Sequence, residues 1–108
     1  MGQYQKTLRE LRNRLMEIIY NPIFEQQAIE IVEYIAQDKP SVAIEFALTL
    51  EQKILQIPDF PFQYRPSNYF DNSNIRDMIY KKHTIVYEVN LENNTIEILQ
   101  IFNRNKPQ

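Results

Sequence analysis

Six side chains in the second half of this sequence could act on a phosphodiester: Arg76, Lys81, Lys82, His83, Tyr87 and Arg104. Cleaving RNA through its own 2′-hydroxyl requires no metal. It requires a base for the hydroxyl, an acid for the leaving oxygen, and cations against the charge that develops on the phosphorane. A nuclease built here would draw on Arg76, His83 and Arg104. A surface that only binds a target would draw on Arg76, Lys81, Lys82 and Arg104, since guanidinium groups suit phosphate and carboxylate alike. Each residue also has a structural alternative. Arg76 could form a salt bridge with a helix carboxylate, Lys81 and Lys82 could form a solvated turn, and Tyr87 sits within an apolar run as a core tyrosine would. Arg104 closely follows the last expected strand, and it would face Arg76 if the strands carrying them were neighbours.

Other chemistries find less support. Ser/His/Asp catalysis would have to use His83, which lies beside two lysines, and the chain has no Gly-x-Ser-x-Gly turn. The absence of Cys excludes disulfide scaffolds, thiolate metal sites and cysteine nucleophiles. One His cannot build a zinc site of the usual kind. Glu30, Glu33 and Asp38 read as a solvated helix face, without the spacing of a calcium loop. A single Gly rules out glycine-rich phosphate loops. No cofactor is expected.

At 108 residues the chain has room for one core. Hydrophobic residues make up 44% and charged residues 24%, which suits a soluble domain. No apolar run is long enough for a membrane span or a signal peptide, so a cytoplasmic location without membrane contact is expected. The net charge of −2 is unevenly spread. Residues 1–15 carry Lys6, Arg9, Arg12 and Arg14 against Glu10. The stretch from Met16 to Pro61 is strongly acidic, and the remainder is slightly basic. A polyanion would therefore prefer the C-terminal half to the middle.

The elements that must position these residues can be read in order. Glu17-Ile18-Ile19-Tyr20 is a short β-prone run. Asn21 is a good N-cap and Pro22 suits a first helical position, so a helix follows at once. Phe24, Ala28, Ile31 and Ile35 recur at helical spacing. Asp38-Lys39-Pro40 breaks that helix, and Pro40-Ser41 opens a second. Ala43, Phe46, Ala47, Leu50, Ile54 and Ile57 form its apolar face, and Pro58 and Pro61 stop it. Phe62 to Asn74 reads as a long loop, of a length that often serves function. Strands are expected at Ile75–Tyr80, Thr84–Leu91 and Thr95–Phe102, joined by Lys81-Lys82-His83 and by Glu92-Asn93-Asn94. The fold class is α+β, in the order β-α-α-β-β-β, with a helical hairpin packed on a small antiparallel sheet. The strands are apolar on both faces, and helices can cover only one. An exposed apolar strip is therefore expected on the other, as a binding site.

The domain proper is expected to be residues 16–108, with residues 1–15 as an extension. Thr7-Leu8-Arg9-Glu10 matches a capping box, and Tyr4, Leu8, Leu11 and Leu15 form an apolar stripe. One reading is a basic amphipathic helix from Thr7 to Arg14 that docks on the acidic hairpin. The other is that translation naturally starts at Met16 and the extension is not native.

From Met16 to Lys106 the ordered set of segments resembles the RelE/ParE superfamily of type II toxin–antitoxin toxins. The resemblance is carried by Tyr34-Ile35-Ala36-Gln37-Asp38-Lys39-Pro40-Ser41, Ile57-Pro58-Asp59-Phe60-Pro61, Asn74-Ile75-Arg76-Asp77-Met78, His83-Thr84-Ile85-Val86-Tyr87 and Ile96-Glu97-Ile98 through Phe102-Asn103-Arg104. The long hairpin and the Ile75-Arg76 entry to the sheet look more ParE-like than RelE-like. The resemblance implies a growth-inhibiting toxin of the plasmid-stabilisation type. It implies DNA gyrase as target and a cognate antitoxin from an adjacent reading frame as partner, in a homodimer or a toxin–antitoxin heterotetramer. A RelE-like member would instead be an endonuclease cutting mRNA on the ribosome, and that residue set maps poorly. Arg76 lies near the place of a strand lysine, and Arg104 matches a strand-end arginine. Thr84 replaces an arginine, His83 replaces an aromatic residue, and the C-terminal catalytic tyrosine has no counterpart before Gln108.

Overall fold

The computed structural model describes residue 8 and residues 16–104. Along these the chain forms β1 (Glu17–Tyr20), α1 (Pro22–Asp38), α2 (Pro40–Leu55), a 3-10 turn (Ile57–Asp59), β2 (Arg65–Pro66), β3 (Ile75–Tyr80), β4 (His83–Asn90) and β5 (Thr95–Asn103). The α+β class and the helical hairpin on a sheet are as expected. The helix expected from Thr7 to Arg14 lies outside the described residues except for Leu8, which is helical.

Local chemistry accounts for the helix boundaries. Asn21 holds an extended backbone, and its Oδ1 accepts a hydrogen bond from the Ile23 amide at 2.8 Å, so one of the free first-turn donors is satisfied. Pro22 takes the first helical position, where its missing N–H is no loss. Lys39 is extended and Pro40 begins α2, so the hairpin turns through a single residue. The left-handed backbone at Asn94 closes the β4–β5 turn, a conformation that asparagine tolerates well.

The sheet runs β1-β5-β4-β3-β2. All neighbours are antiparallel except β1 and β5, which run parallel from Glu17↔Thr95 to Tyr20↔Ile98. The sheet is thus mixed rather than purely antiparallel, because the chain reaches β5 from β1 only after the hairpin and three other strands. β1 ends opposite Ile98, which leaves the outer edge of β5 open beyond that point. There α1 covers it: Gln27 Oε1 accepts from the Ile101 amide at 2.8 Å. A bulge in the β4–β5 ladder leaves Leu99 unpaired between Gln100, opposite Val86, and Ile98, opposite Tyr87. Strand bounds shift slightly from expectation. His83 is the first residue of β4 rather than part of the turn, since the Lys81-Lys82 pair alone closes the hairpin between Tyr80 and His83.

The main core lies between the hairpin and one face of the sheet. Phe24, Phe46, Leu50 and Ile54 meet Met78, Ile85, Tyr87, Ile98 and Ile101 there. The other face does not expose the apolar strip expected of it. Ile75, Val86 and Phe102 form a second buried cluster. The segment between Phe62 and Asn74 folds back over them: the Tyr69 ring stands edge-on to Phe102 at 5.0 Å, and the Asn68 amide donates to Asp77 Oδ2 at 3.0 Å. The long segment, expected to be only a loop, thus contributes β2 and covers the sheet. Exposed apolar side chains sit instead on the outer side of the hairpin, at Ile29, Ile44, Leu48 and Leu55.

Candidate functional site

The sheet order divides the basic residues into two places. At one end, Lys81 and Lys82 form the β3–β4 turn, and His83 pairs with Asn103 on β5. The Arg104 amide donates to the Lys82 carbonyl at 2.6 Å, which ties the end of β5 to that turn. Lys81, Lys82, His83 and Arg104 are therefore together. Arg76 is not with them. It lies opposite Tyr87, four residues before Tyr80, and a strand rises about 3.3 Å per residue. β4 also separates β3 from β5, so the expected facing of Arg76 and Arg104 across adjacent strands does not occur.

Arg76 is half-buried and engaged with the chain's own backbone. Its Nε donates to the Ser73 carbonyl at 2.9 Å, and its Nη1 donates to the carbonyls of Tyr64 at 3.0 Å and Phe62 at 3.3 Å. The guanidinium also stacks over the Phe62 ring, 4.9 Å from its centre. The alternative of a salt bridge to a helix carboxylate is replaced by this clamp on the 62–74 segment. Tyr87 holds the same segment from below. Its hydroxyl donates to the Pro61 carbonyl at 2.6 Å, and its ring meets Tyr64 edge-on. Burial pushes the Tyr87 phenol far above the ordinary tyrosine range, so it stays protonated and serves as a structural donor.

A third clamp was not foreseen. Asp77 is 1% exposed, yet it carries a carboxylate. Its Oδ2 accepts from Asn68 and lies 3.6 Å from Arg65 Nη2 on β2. The signal in the sequence was an acid in the middle of an otherwise apolar strand, where Asp is disfavoured unless a partner meets it.

At the basic end, His83, Lys82 and Asn103 line a groove of about 480 Å³ with Glu30, Tyr34 and Ile35 of α1. The His83 ring stands edge-on to Phe46 at 5.3 Å, and its Nδ1 is buried without a hydrogen-bond partner among the described residues. Burial lowers its pKa from 6.5. The folded state thus prefers the neutral ring, and below about pH 6.5 the unfolded chain takes up the proton first. Stability should fall as pH drops through that range. Urea midpoints at about pH 7.5 and about pH 5 should separate more for the wild type than for His83→Gln, and equal separations would rule the effect out.

No group of three or more His, Asp or Glu residues capable of holding a metal occurs among the described residues. No helix among them is long and apolar enough to cross a membrane. The architecture is shared with a chain of the chromosomal ParDE TA system from P. aeruginosa. The match has a TM-score of 0.68 at 16% identity and covers 82% of this chain and 96% of that one. At that identity the likeness speaks for the fold alone. No curated protein matches. Residues 18–107 match the family model of the ParE toxin of the type II toxin–antitoxin system parDE. The chain belongs to the ParE toxin family. In this ParE-family toxin Lys81, Lys82 and Arg104 stand together at one end of the sheet, Arg76 forms an internal clamp, and the 62–74 segment that the clamp holds presents Phe62, Tyr69 and Phe70 partly to solvent.

Proposed function

We propose that this ParE-family toxin arrests growth by contact with DNA gyrase in the cytoplasm and is neutralised by an antitoxin encoded beside it. The observation that carries the proposal is the engagement of Arg76 with three backbone carbonyls, far from Arg104. A ribonuclease of the RelE kind needs cations converging on one phosphate. Here one of the two arginines is committed to holding a segment in place, which suits a protein-binding surface more than a catalytic cleft. The antitoxin tail would cover the hairpin's exposed Ile44 and Leu48 and set acidic side chains against Lys81, Lys82 and Arg104.

Induction of the chain without its neighbour should give filamentation and a DNA-damage response. Purified protein should inhibit supercoiling by gyrase, and the neighbouring product should relieve both effects. Codon-specific cuts in mRNA on translating ribosomes, with supercoiling unaffected, would sink the proposal in favour of the endonuclease reading.

A further inference from the structure

Four cations from three parts of the chain gather at the end of the sheet where β3 turns into β4. Lys53 of α2 and Lys81 of the turn each hold Nζ 5.6 Å from the centre of the Tyr80 ring, so the two stand within about 11 Å, twice that distance, of each other. Lys82 follows in the turn, and the bond from the Arg104 amide to the Lys82 carbonyl sets Arg104 beside it. Lys81, Lys82 and Arg104 are exposed. Among the described residues the ion pair is Arg65 with Asp77, and none of these four cations takes part in one. The backbone gives an independent sign. Lys81 has a φ of 54°, a left-handed conformation that glycine or asparagine adopts more readily. The turn retains a lysine where its backbone favours another residue, and such positions concentrate where a side chain is put to use.

We propose that this cluster binds the phosphodiester backbone of duplex DNA without reading its sequence, so that the toxin meets DNA directly beside its protein target. A duplex carries one charge per about 1.7 Å of its axis, so several phosphates lie within the span of Lys53 and Lys81. Three of the four cations are lysines, compact charges on flexible stems. They suit a row of repeating anions, whereas a carboxylate held at one fixed place favours the planar fork of arginine. The chain as a whole is acidic, at −2, so attraction to DNA depends on where these charges stand and not on their sum. The presence of DNA at the target rests on the gyrase reading; the binding itself does not.

The test is a titration of the full-length chain into a fluorescent duplex of about 20 base pairs, followed by anisotropy at several salt concentrations. The logarithm of the binding constant should fall against the logarithm of salt with a slope of about −3.6 for four phosphate contacts. Lys81→Asn with Lys82→Gln should make the slope shallower by about 2 and weaken binding about a hundredfold at about 50 mM salt. Asparagine suits the left-handed backbone, so the turn persists in that variant. Arg104→Gln alone should make the slope shallower by about 1. Asn90→Asp with Leu91→Glu lowers the net charge equally at the opposite end of β4, at exposed positions, and should leave the slope unchanged. A wild-type slope in the lysine variant would overturn the proposal and leave any phosphate contacts to Lys6, Arg9, Arg12 and Arg14. An equal change in the Asn90/Leu91 variant would overturn it by making net charge the cause. Poly-glutamate that displaces the duplex at equal charge would overturn it in favour of an acidic protein segment, and tighter binding to an RNA duplex of the same length would move the contact to RNA. A chain that inhibits supercoiling yet binds no duplex at about 50 mM salt would overturn the inference and leave the gyrase reading standing. Binding with the expected slopes and no effect on gyrase would support the inference and remove that reading.

Discussion

Phe46→Ala should destabilise the fold by about 3–5 kcal/mol, a large part of the roughly 5–15 kcal/mol that holds a typical domain together. Phe46 is 2% exposed and stands where α2 meets the far end of the sheet. Its ring lies 5.3 Å from Tyr80 and 5.3 Å from His83, so it bridges the last residue of β3 and the first of β4. Truncation removes apolar area and leaves a cavity that neighbouring strands, fixed by their ladder, cannot collapse to fill. Ile44, two residues earlier, faces solvent, and Ile44→Ala should change stability by no more than about 0.5 kcal/mol. Urea denaturation of the two variants measures the contrast. A loss below about 1 kcal/mol for Phe46→Ala would mean that the hairpin does not pack on the sheet as described.

Features set by local chemistry were legible before the fold was known. Asn21-Pro22 announces a helix start because its capping depends on residues only two apart. The Lys39 break and the β-prone runs of β3 to β5 are equally local. Features set by long-range pairing were not legible. Nothing in Glu17-Ile18-Ile19-Tyr20 specifies a parallel partner nearly eighty residues away, and strand order and register together set Arg76 and Arg104 apart. The strands are apolar on both faces, as their sequence shows, but the sequence does not show what covers the second face. A polar, aromatic segment offered no periodicity to reveal that Tyr69 and Asn68 would fold over Phe102 and Asp77. Arg76 illustrates the same limit from the side of function: its type suggested an anion partner, whereas a guanidinium with five donors satisfies backbone carbonyls just as well.

Replacing both Arg76 and Arg104 with Ala should abolish toxicity on induction while leaving the circular dichroism spectrum of a folded protein. The two losses should arise differently. Arg104 is exposed at the end of β5, beside Lys82, so Arg104→Ala should leave stability within about 0.5 kcal/mol and weaken only target contact. Arg76→Ala removes three hydrogen bonds from a charged donor and a cation–π stack, all directed at the 62–74 segment. Because the site is half-open to water and the bonds are not additive, a loss of roughly 2 kcal/mol is expected rather than their sum. Amide exchange should then rise in residues 62–74 and stay unchanged in α1 and α2, because the loosened elements are those the guanidinium holds. Arg76→Lys should fail to restore protection, since one ammonium cannot reproduce the planar fork that reaches Ser73 and Tyr64 together. A double variant that stays toxic would remove both arginines from the target surface. A double variant that unfolds would make Arg76 a pillar of the fold, and the target contact would then rest on Arg104, Lys81 and Lys82 alone.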